Sequence, residues 1–578
     1  MILGSTSNSG QRWPAISFAE AEQRLCAPGA PFEFETIDID GVPTRSWKHQ
    51  PASLASLARD VRTRFGARDF LIFEDERVSY EGWFRATAAL AQGLRARGVA
   101  KGDRVALAMR NLPEWQVAFV AATCIGAIVV PLNAWWTGSE LNYGLADSGA
   151  KVLICDDERW QRIVPFYDTL GDLRHVITSR SQGLPENAER LEAFIGMPGD
   201  YGGLPDVDLP DTDLGPDDDA TIFYTSGTTG SPKGALGSHR NILACTQAAP
   251  YLAHRGALRR GDGPPQPVLR KNLVVIPFFH VTACCSILMP TMHAGNAIVM
   301  MRKWDPMQAM GLIERERITN TGGVPTIAWQ LIEHPERHRF DLSSLDLIAY
   351  GGAPAAAELV RRIASDLKAS PSIGWGMTET CATVINLAAE DYLLRPDSCG
   401  LALPVSRIKI MNEDGTAEMA TGEVGELWAS GPQIVKGYWR NPEATAETFR
   451  NGWVRTGDLA RLDDEGFCYI VDRAKDIIIR GGENIYSSEI ENILYEHPAV
   501  IDAAVIGIAH RTLGEEPVAV VCLAPESSVG EDDLRGWIGE RLAQFKVPVR
   551  IHFLTEMLPR NANGKILKKD LKLRFAAG

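Results

Sequence analysis

Short apolar runs alternate with amphipathic segments over most of the chain. Residues 70–73 predict a strand, and Ser79 is placed to cap a helix whose apolar positions recur at helical spacing until Gly98. Another helix is predicted from Glu114, and further apolar runs predict strands at residues 104–109, 127–131, 151–155, 221–223 and 347–350. This alternation is typical of an α/β fold with mostly parallel sheets covered by helices.

The pattern changes near residue 472. Residues 488–491 have the spacing of a capping box at a helix start, residues 505–508 and 518–523 predict strands, and residues 532–545 are amphipathic. We therefore expect a large N-terminal domain over residues 1–472, in which residues 1–68 form an arm and lead-in, and a small α+β C-terminal domain over residues 473–578. Residues 198–219 and 259–270 are predicted to be loops.

Two stretches, residues 115–139 and 272–301, contain no Asp, Glu, Lys or Arg. A membrane-spanning helix needs about 20 mainly apolar residues. Gly126 and Pro131 interrupt the first stretch, and Pro277, His280 and Gly295 interrupt the second. Buried strand–helix segments of a large core explain both better, so no transmembrane segment is expected.

Composition narrows the function classes. A chain of 578 residues exceeds what one hydrophobic core normally supports, so more than one domain is expected. The net charge of −14 argues against a nucleic-acid partner, which would need a basic face. The ten cysteines include no C-x-x-C pair, and no secretory signal is evident at the N-terminus, so the sequence predicts a reduced, cytoplasmic protein.

The strongest chemical signal is the loop at residues 224–234, YTSGTTGSPKG, directly after a predicted strand. Glycines let backbone N–H groups turn toward an anion, hydroxyls add donors, and Lys233 supplies a positive charge. A P-loop is the rival phosphate-binding motif, but it requires Gly-Lys-Ser/Thr. Here Pro232 precedes the lysine and Gly234 follows it, so the P-loop template fails.

This loop resembles the phosphate-binding signature of the adenylate-forming superfamily, which includes acyl-CoA synthetases, firefly luciferase and the adenylation domains of peptide synthetases. Companion motifs follow in the order of that family: FFH at 278–280, GGAP at 351–354, GWGMTET at 374–380, TGD at 456–458, DRAKDIIIRGGEN at 472–484 and PRNANGK at 559–565. The resemblance covers roughly residues 69–569. It implies a β-barrel-like subdomain in the large domain and a mobile C-terminal domain.

The resemblance also implies a set of nucleotide contacts. ATP phosphates would be bound by Thr225, Ser226, Gly227, Thr228, Thr229, Gly230 and Lys233, and adenine would lie against Gly351, Gly352, Ala353, Pro354, Trp375, Gly376 and Met377. Thr378 would bond the α-phosphate and Glu379 would hold Mg²⁺. Asp458 would accept the ribose hydroxyls, and Arg473 would make a second ribose or phosphate contact.

The remaining implied roles concern the acid, the thiol and domain movement. Lys475 falls at the hinge between domains, and Gly481 and Gly482 would line the entry of the CoA thiol. Lys565 would reach the substrate carboxylate and the α-phosphate, while His280 would shape the acid pocket. Lys568 and Lys569 are interpreted as a solvated basic tail.

The implied reaction forms an acyl-adenylate from a carboxylate and Mg²⁺-ATP, releases pyrophosphate, and then transfers the acyl group to CoA with release of AMP. His280 stands where amino-acid-activating relatives carry an aspartate, which argues against an amino acid substrate. Loading of a separate carrier protein and luciferase-like oxidation stay open. A non-catalytic nucleotide-binding sensor or scaffold is disfavoured because the catalytic positions match.

Three segments are candidates for the acid pocket: residues 279–285, 323–329 and 380–385. They are small, apolar and hydroxyl-bearing, without Arg or Lys to bind a second carboxylate. We therefore expect an apolar monocarboxylate, either a medium- or long-chain fatty acid or an aryl acid. The predicted partners are this acid, ATP and CoA. A homodimer and peripheral membrane contact for a lipid substrate are compatible with the sequence.

Overall fold

A computed structural model of the chain describes residues 13–575 except 184–187, 226–231, 267, 353–356, 482, 525–526 and 562–563. Two large sheets dominate this described part. The first contains, in spatial order, Gly437–Tyr438, Gly234–Ser238, Asp219–Tyr224, Ile128–Pro131, Arg104–Ala108, Val152–Asp156, His175–Ser179 and Glu189–Arg190. Its strands from Asp219–Tyr224 onward are parallel.

The second large sheet holds the edge on which the candidate site is built. In spatial order it contains Leu401–Ala402, Ala382–Ala388, Ser370–Met377, Leu347–Gly351, Asn320–Gly323, Lys271–Val274, Ala297–Met300, Asp69–Phe73 and Glu76–Ser79. Its six central strands are parallel, whereas Ala382–Ala388 runs antiparallel to its neighbour. The prediction of an α/β fold with mostly parallel sheets is confirmed.

Helices cover and separate the two sheets. The helix Pro113–Cys124 is buried along its whole length, between strands of both sheets, and this explains the uncharged stretch that follows Trp115. The helices of this part are Phe18–Leu25, Leu54–Phe65, Tyr80–Ala96, Pro113–Cys124, Gly138–Ser148, Asp157–Ile163, Glu192–Ile195, His239–Leu243, Ala248–Arg260, Met289–His293, Pro306–Glu316, Pro325–Glu333, Ala357–Asp366, Ala389–Leu394 and Pro442–Thr448. Within the described residues, no helix has the length and apolarity needed to cross a membrane.

Two smaller antiparallel assemblies complete the large domain. A hairpin joins Phe34–Ile39 to Val42–Trp47. A small sheet contains Arg407–Met411, Gly425–Ser430, Trp453–Leu462, Phe449–Arg450 and Cys468–Arg473. This sheet occupies the place of the expected barrel-like subdomain. It carries Asp458 and Arg473 on neighbouring strands, in direct register.

The C-terminal part has its own sheet and core. A short turn, Ala474–Asp476, leads from the small sheet into strands Ile478–Arg480, Glu483–Ile485, Val500–His510, Gly514–Leu523 and Arg550–Leu554. The helices Ser487–Tyr495, Glu531–Gly539 and Lys568–Phe575 pack on this sheet. The turn at Lys475 lies where the sequence predicts the hinge.

Several local predictions were wrong. Arg259 and Arg260 are the last turn of a helix rather than the start of a loop. Within the predicted arm, residues 18–47 form a helix and a hairpin, which the sequence pattern did not indicate. The amphipathic stretch at residues 532–545 is an α-helix only as far as Gly539. Residues 198–203, at the start of the predicted loop at 198–219, form a 3₁₀ turn.

The predicted cap at Ser488 does not form. The helix starts at Ser487, with Tyr486 before it, because both serine hydroxyls bond the strand Cys468–Arg473: Ser487 donates to Asp472 at 3.0 Å and Ser488 donates to the Val471 carbonyl. Lys568 is also no solvated tail. Its ammonium pairs with Glu491 at 2.7 Å and donates to Ser487 at 2.7 Å, which leaves only Lys569 exposed as predicted.

Candidate active site

The site is built at the carboxyl ends of the parallel strands Asn320–Gly323, Leu347–Gly351 and Ser370–Met377. Such an edge is where ligands bind in open α/β sheets. Two positions at this edge require glycine, because a neighbouring backbone carbonyl lies too close to leave room for a Cβ. A Cβ at Gly376 would stand 1.5 Å from the Ala382 carbonyl oxygen, next to a register shift in the ladder, and a Cβ at Gly351 would stand 2.7 Å from the Gly374 carbonyl oxygen.

Three predicted residues meet at one carboxylate beside this edge. The indole N–H of Trp375 donates to Asp458 Oδ2 at 2.9 Å, and Arg473 Nε lies 3.2 Å from Asp458 Oδ1. The Asp458 side chain is largely buried, so these two partners fix its orientation. A carboxylate held in this way can accept two further hydrogen bonds from a vicinal diol.

Glu379 forms a second centre with two basic or phenolic neighbours. The Tyr438 hydroxyl donates to Glu379 Oε1 at 2.6 Å, and Lys233 Nζ lies 5.0 Å from the centroid of the Tyr438 ring. Burial raises the pKa of Glu379, and the Tyr438 hydroxyl, Arg473 and Lys233 oppose that rise. Tyr438 was missed in the sequence because a lone aromatic residue in a short strand carries no signal of its own.

The Glu379 centre fits Mg²⁺ brought in with a nucleotide. Within the described ranges, no group of three or more His, Cys, Asp or Glu side chains is placed to hold a metal alone. Mg²⁺ commonly uses one or two carboxylates together with substrate phosphates. A single buried carboxylate with one oxygen left after the Tyr438 bond matches that chemistry.

The phosphate loop is described only at its base. Thr225 N–H donates to the Lys233 carbonyl at 2.8 Å, and Lys233 N–H donates to Thr225 Oγ1 at 3.2 Å, so the two ends of the loop are tied together. Ser226, Gly227, Thr228, Thr229 and Gly230 lie outside the described residues, as do Ala353, Pro354 and Gly482. Thr378 begins the turn that follows the strand Ser370–Met377.

Lys565 reaches the site from the C-terminal part of the chain. Burial lowers its pKa to about 7, with further lowering by the nearby positive charges of Arg473 and Lys475 and opposition from Asp458 and Asp476. Burial and Arg473 lower the pKa of Lys475 as well. Three cationic groups therefore converge beside Asp458, which is an arrangement suited to an anionic ligand.

The loop that carries Lys565 is held close to the large domain. The backbone N–H of Lys565 donates to Asn561 Oδ1 at 3.0 Å. The Arg560 guanidinium donates to both the Gly564 carbonyl and the buried Asp502. Gly564 has a φ of +75°, and a Cβ there would lie 2.6 Å from a methyl of Val324, at the strand-end edge. Only glycine permits this approach.

Gly481 lies in the turn after the strand Ile478–Arg480. Its N–H donates to the Leu513 carbonyl at 2.7 Å within the C-terminal sheet. His280 is set back. Burial lowers the pKa of His280 to about 4, so its imidazole is neutral at physiological pH, and its Nδ1 accepts from the Thr282 N–H at 3.3 Å. Thr282 lines the adjoining cavity, whereas His280 is not among its described lining residues.

That cavity has a volume of about 1360 Å³ and runs along the second large sheet. The predicted acid-pocket segments contribute Thr282, Gly323, Ala382 and Thr383. Cys284 and Cys285 instead point into the core. The helix Ala248–Arg260, which the sequence did not single out, forms another wall.

The cavity walls include arginines, which the predicted segments do not contain. Arg260 pairs with Asp262 and Glu390, and Arg270 pairs with Asp346. These two positive charges are neutralised by carboxylates of the protein itself. Arg68 and Arg255 also line the cavity, so its basic side chains come from outside the three predicted segments.

Comparison with known proteins agrees with this arrangement. The family model "AMP-binding enzyme" matches residues 58–439, and "AMP-binding enzyme C-terminal domain" matches residues 489–565. A feruloyl-CoA synthase from Amycolatopsis is 36% identical over 86% of this chain and 94% of its own length. A long-chain fatty-acid–CoA ligase from Mycobacterium tuberculosis is 34% identical over 87% and 94%.

Solved structures also match over most of the chain. ATP-bound MatB from Rhodopseudomonas palustris superimposes with a TM-score of 0.78 at 27% identity, covering 91% of this chain and 99% of that one. Given the family matches, the identity to curated relatives and the structural likeness, the chain belongs to the AMP-binding enzymes, as an AMP-forming member of their acyl-CoA synthetase branch.

Proposed function

We propose that this enzyme activates an apolar monocarboxylic acid, either a fatty acid or an aryl acid, and transfers it to CoA at the site described above. The observation that carries the proposal is the convergence of Lys565, Arg473 and Lys475 beside Asp458. The hydrogen-bond partner of Asp458, Trp375, lines the largely apolar cavity. ATP is expected to lie with its ribose on Asp458 and its base near Gly351, Gly352 and Trp375.

In the first step, the substrate carboxylate attacks the α-phosphate and pyrophosphate leaves. Two anions must approach each other, so a positioned cation lowers the barrier by offsetting their repulsion and by stabilising charge on the phosphorus. Lys565 is assigned this role, with Thr378 as a donor to the α-phosphate. Mg²⁺ at Glu379 would neutralise charge on the phosphates.

In the second step, the CoA thiolate attacks the acyl carbon and AMP leaves. Movement at Lys475 is proposed to withdraw Lys565 and to bring the loop at Gly481 and Gly482 to the site. Gly481 lies in a turn of the C-terminal domain, where its N–H bonds the Leu513 carbonyl, and it is assigned a role only after such a movement.

The acid class rests on the cavity. Its described lining is mainly small and apolar, and two of its four arginines, Arg260 and Arg270, are paired with carboxylates of the chain. Two of the relatives are named for acids of the proposed kinds, the feruloyl-CoA synthase for an aryl acid and the long-chain fatty-acid–CoA ligase for a fatty acid.

The test is to incubate the purified enzyme with Mg²⁺-ATP and a panel of carboxylic acids, with and without CoA, and to identify products by mass spectrometry. The panel contains fatty acids of increasing length, benzoates, cinnamates, dicarboxylates and amino acids. Acyl-CoA and AMP formed from an apolar monocarboxylate are expected. The highest kcat/KM for a dicarboxylate would contradict the acid assignment, and adenylate without acyl-CoA would indicate a carrier-loading enzyme.

A further inference from the structure

Asn386 presents a buried polar group to the acid cavity. It lies on the strand Ala382–Ala388, and its side chain is only 5% exposed. Among the described residues that line the cavity, Asn386 is the one with a fully buried side-chain oxygen that has no hydrogen-bond partner. Buried polar groups are almost always satisfied, so this amide requires a partner that the chain does not supply.

Neighbouring polar side chains in the same walls already have partners within the protein. Ser286 and Thr383 share a hydrogen bond of 2.8 Å, and the Ser372 hydroxyl donates to the Leu387 carbonyl at 3.2 Å. The Asn272 amide donates to Thr291 Oγ1 at 3.0 Å. The open hydrogen-bonding capacity of Asn386 is therefore a local property and does not reflect a generally polar cavity.

The cavity around Asn386 is a slot between the sheet and the helix Ala248–Arg260. Small side chains line both faces: Ala249, Ala253 and Gly256 on the helix, and Ala349, Gly374 and Ala388 on the sheet. The slot continues past Asn386 to the amino ends of the strands at Leu347 and Ser370. A ligand that enters from the carboxyl ends of the strands has room to extend beyond Asn386.

The sheet register places Asn386 at a definite depth. Asn386 pairs with Gly374, which precedes the strand-end residue Met377 by three positions. Strands rise about 3.3 Å per residue, so Asn386 lies roughly 10 Å along the sheet from the edge where the carboxylate would be activated.

We propose that Asn386 is a specificity-determining residue and that the acid is an elongated monocarboxylate carrying a hydroxyl group in its body, roughly 10 Å from its carboxylate. The unpartnered atom is the amide oxygen Oδ1, which accepts, so a hydroxyl that donates to it satisfies it. The inference rests on the proposed function, because it assumes that the acid occupies this cavity.

The test compares matched acids that differ by one oxygen: cinnamate with 4-hydroxycinnamate, and straight-chain acids with their hydroxylated forms, the hydroxyl being moved along the chain. kcat/KM is measured for the wild type and for Asn386→Leu, which keeps the side-chain size but removes the amide. The wild type is expected to prefer an oxygenated acid about tenfold or more, at one position of the oxygen. In Asn386→Leu that ratio should fall to near one while the unsubstituted acid is still turned over.

Asn272→Leu is the matched control, since it makes the same change in the same cavity at an amide that already has a partner. It should retain the wild-type preference. Asn386→Ala is a second variant, which covers the case in which leucine fits poorly at this position. It should also lose the preference. Turnover of the unsubstituted acid reports that each variant is folded.

The outcomes separate the two proposals. If acids are activated but the oxygen has no effect, or if Asn386→Leu and Asn386→Ala keep the wild-type ratio, the Asn386 assignment is wrong and a trapped water satisfies the amide. If the wild type activates no acid in the panel, the proposed function fails and the inference fails with it.

Discussion

The indole N–H of Trp375 donates a 2.9 Å hydrogen bond to Asp458, the carboxylate that Arg473 holds from its other side. Trp375 therefore orients Asp458 as well as offering an aromatic surface. Trp375→Phe keeps a ring and removes only this bond. Hydrogen bonds to charged groups are worth about 1.5–3 kcal/mol, so we expect the KM for ATP to rise about tenfold or more.

Steady-state kinetics at saturating acid and CoA would measure the change in KM for ATP. Trp304→Phe is a suitable control, because its indole N–H bonds the Gln330 side chain away from this site. An unchanged KM in Trp375→Phe would show that Arg473 alone fixes Asp458.

Lys565→Ala is expected to separate the two half-reactions. Loss of the cation that joins carboxylate and α-phosphate should slow adenylation by about 10²–10³-fold, the range found when one transition-state donor is removed. Thioesterification of a supplied acyl-adenylate should be nearly unchanged, because Lys565 is assigned no role in that step. Single-turnover assays of each half-reaction measure this, with Lys569→Ala as an exposed control. Equal loss in both steps would contradict the assignment.

The depressed pKa of Lys565 predicts proton uptake when a nucleotide binds. With a pKa of about 7, lowered by burial and by Arg473 and Lys475, the amine is mainly neutral at pH 8 in the free enzyme. Anionic phosphates nearby favour its protonated form and raise its pKa. Binding of a non-hydrolysable ATP analogue at pH 8 should therefore take up nearly one proton, and less as the pH falls below 7.

Calorimetry in buffers of different ionisation enthalpy measures this uptake, and Lys565→Met should abolish it. If the binding heat does not depend on the buffer, Lys565 does not change its protonation.

The same pKa determines how the contribution of Lys565 to folding stability changes with pH. Between pH 7 and the unfolded-state value of 10.5, the unfolded chain binds more protons at this group, so its contribution to stability rises with pH.

The sequence predicted those parts of the fold and site that local pattern determines. The strands after Asp69 and Arg104 and the helix capped by Ser79 were readable because their apolar positions have strand or helix periodicity. Trp375, Asp458 and Lys565 were located through motifs whose order resembles one superfamily. Their convergence depends on strand order, which the sequence alone does not give.

The features that were missed depend on contacts between distant segments. Ser488 has capping-box spacing, but the backbone of the neighbouring strand captures its hydroxyl, so tertiary contact overrides the local signal. Tyr438 lies 59 residues from Glu379 and meets it only when both sheets are assembled. Asn386 is one of two polar residues in a mainly apolar strand, and its significance comes entirely from the missing partner in the folded chain.

Tyr438→Phe is expected to raise the Mg²⁺ concentration that activity requires. The Tyr438 hydroxyl donates at 2.6 Å to a carboxylate whose pKa burial already raises, and this bond favours the ionised form. Without it the pKa of Glu379 rises further, so a larger fraction is protonated and unable to bind Mg²⁺. The Mg²⁺ concentration for half-maximal AMP formation should increase several-fold, and the increase should become smaller as the pH is raised and Glu379 ionises. Tyr469→Phe, which removes a similar bond to Asp463, should leave the Mg²⁺ requirement unchanged. A Tyr438→Phe enzyme with a wild-type Mg²⁺ requirement at every pH would remove Glu379 from the proposed metal site.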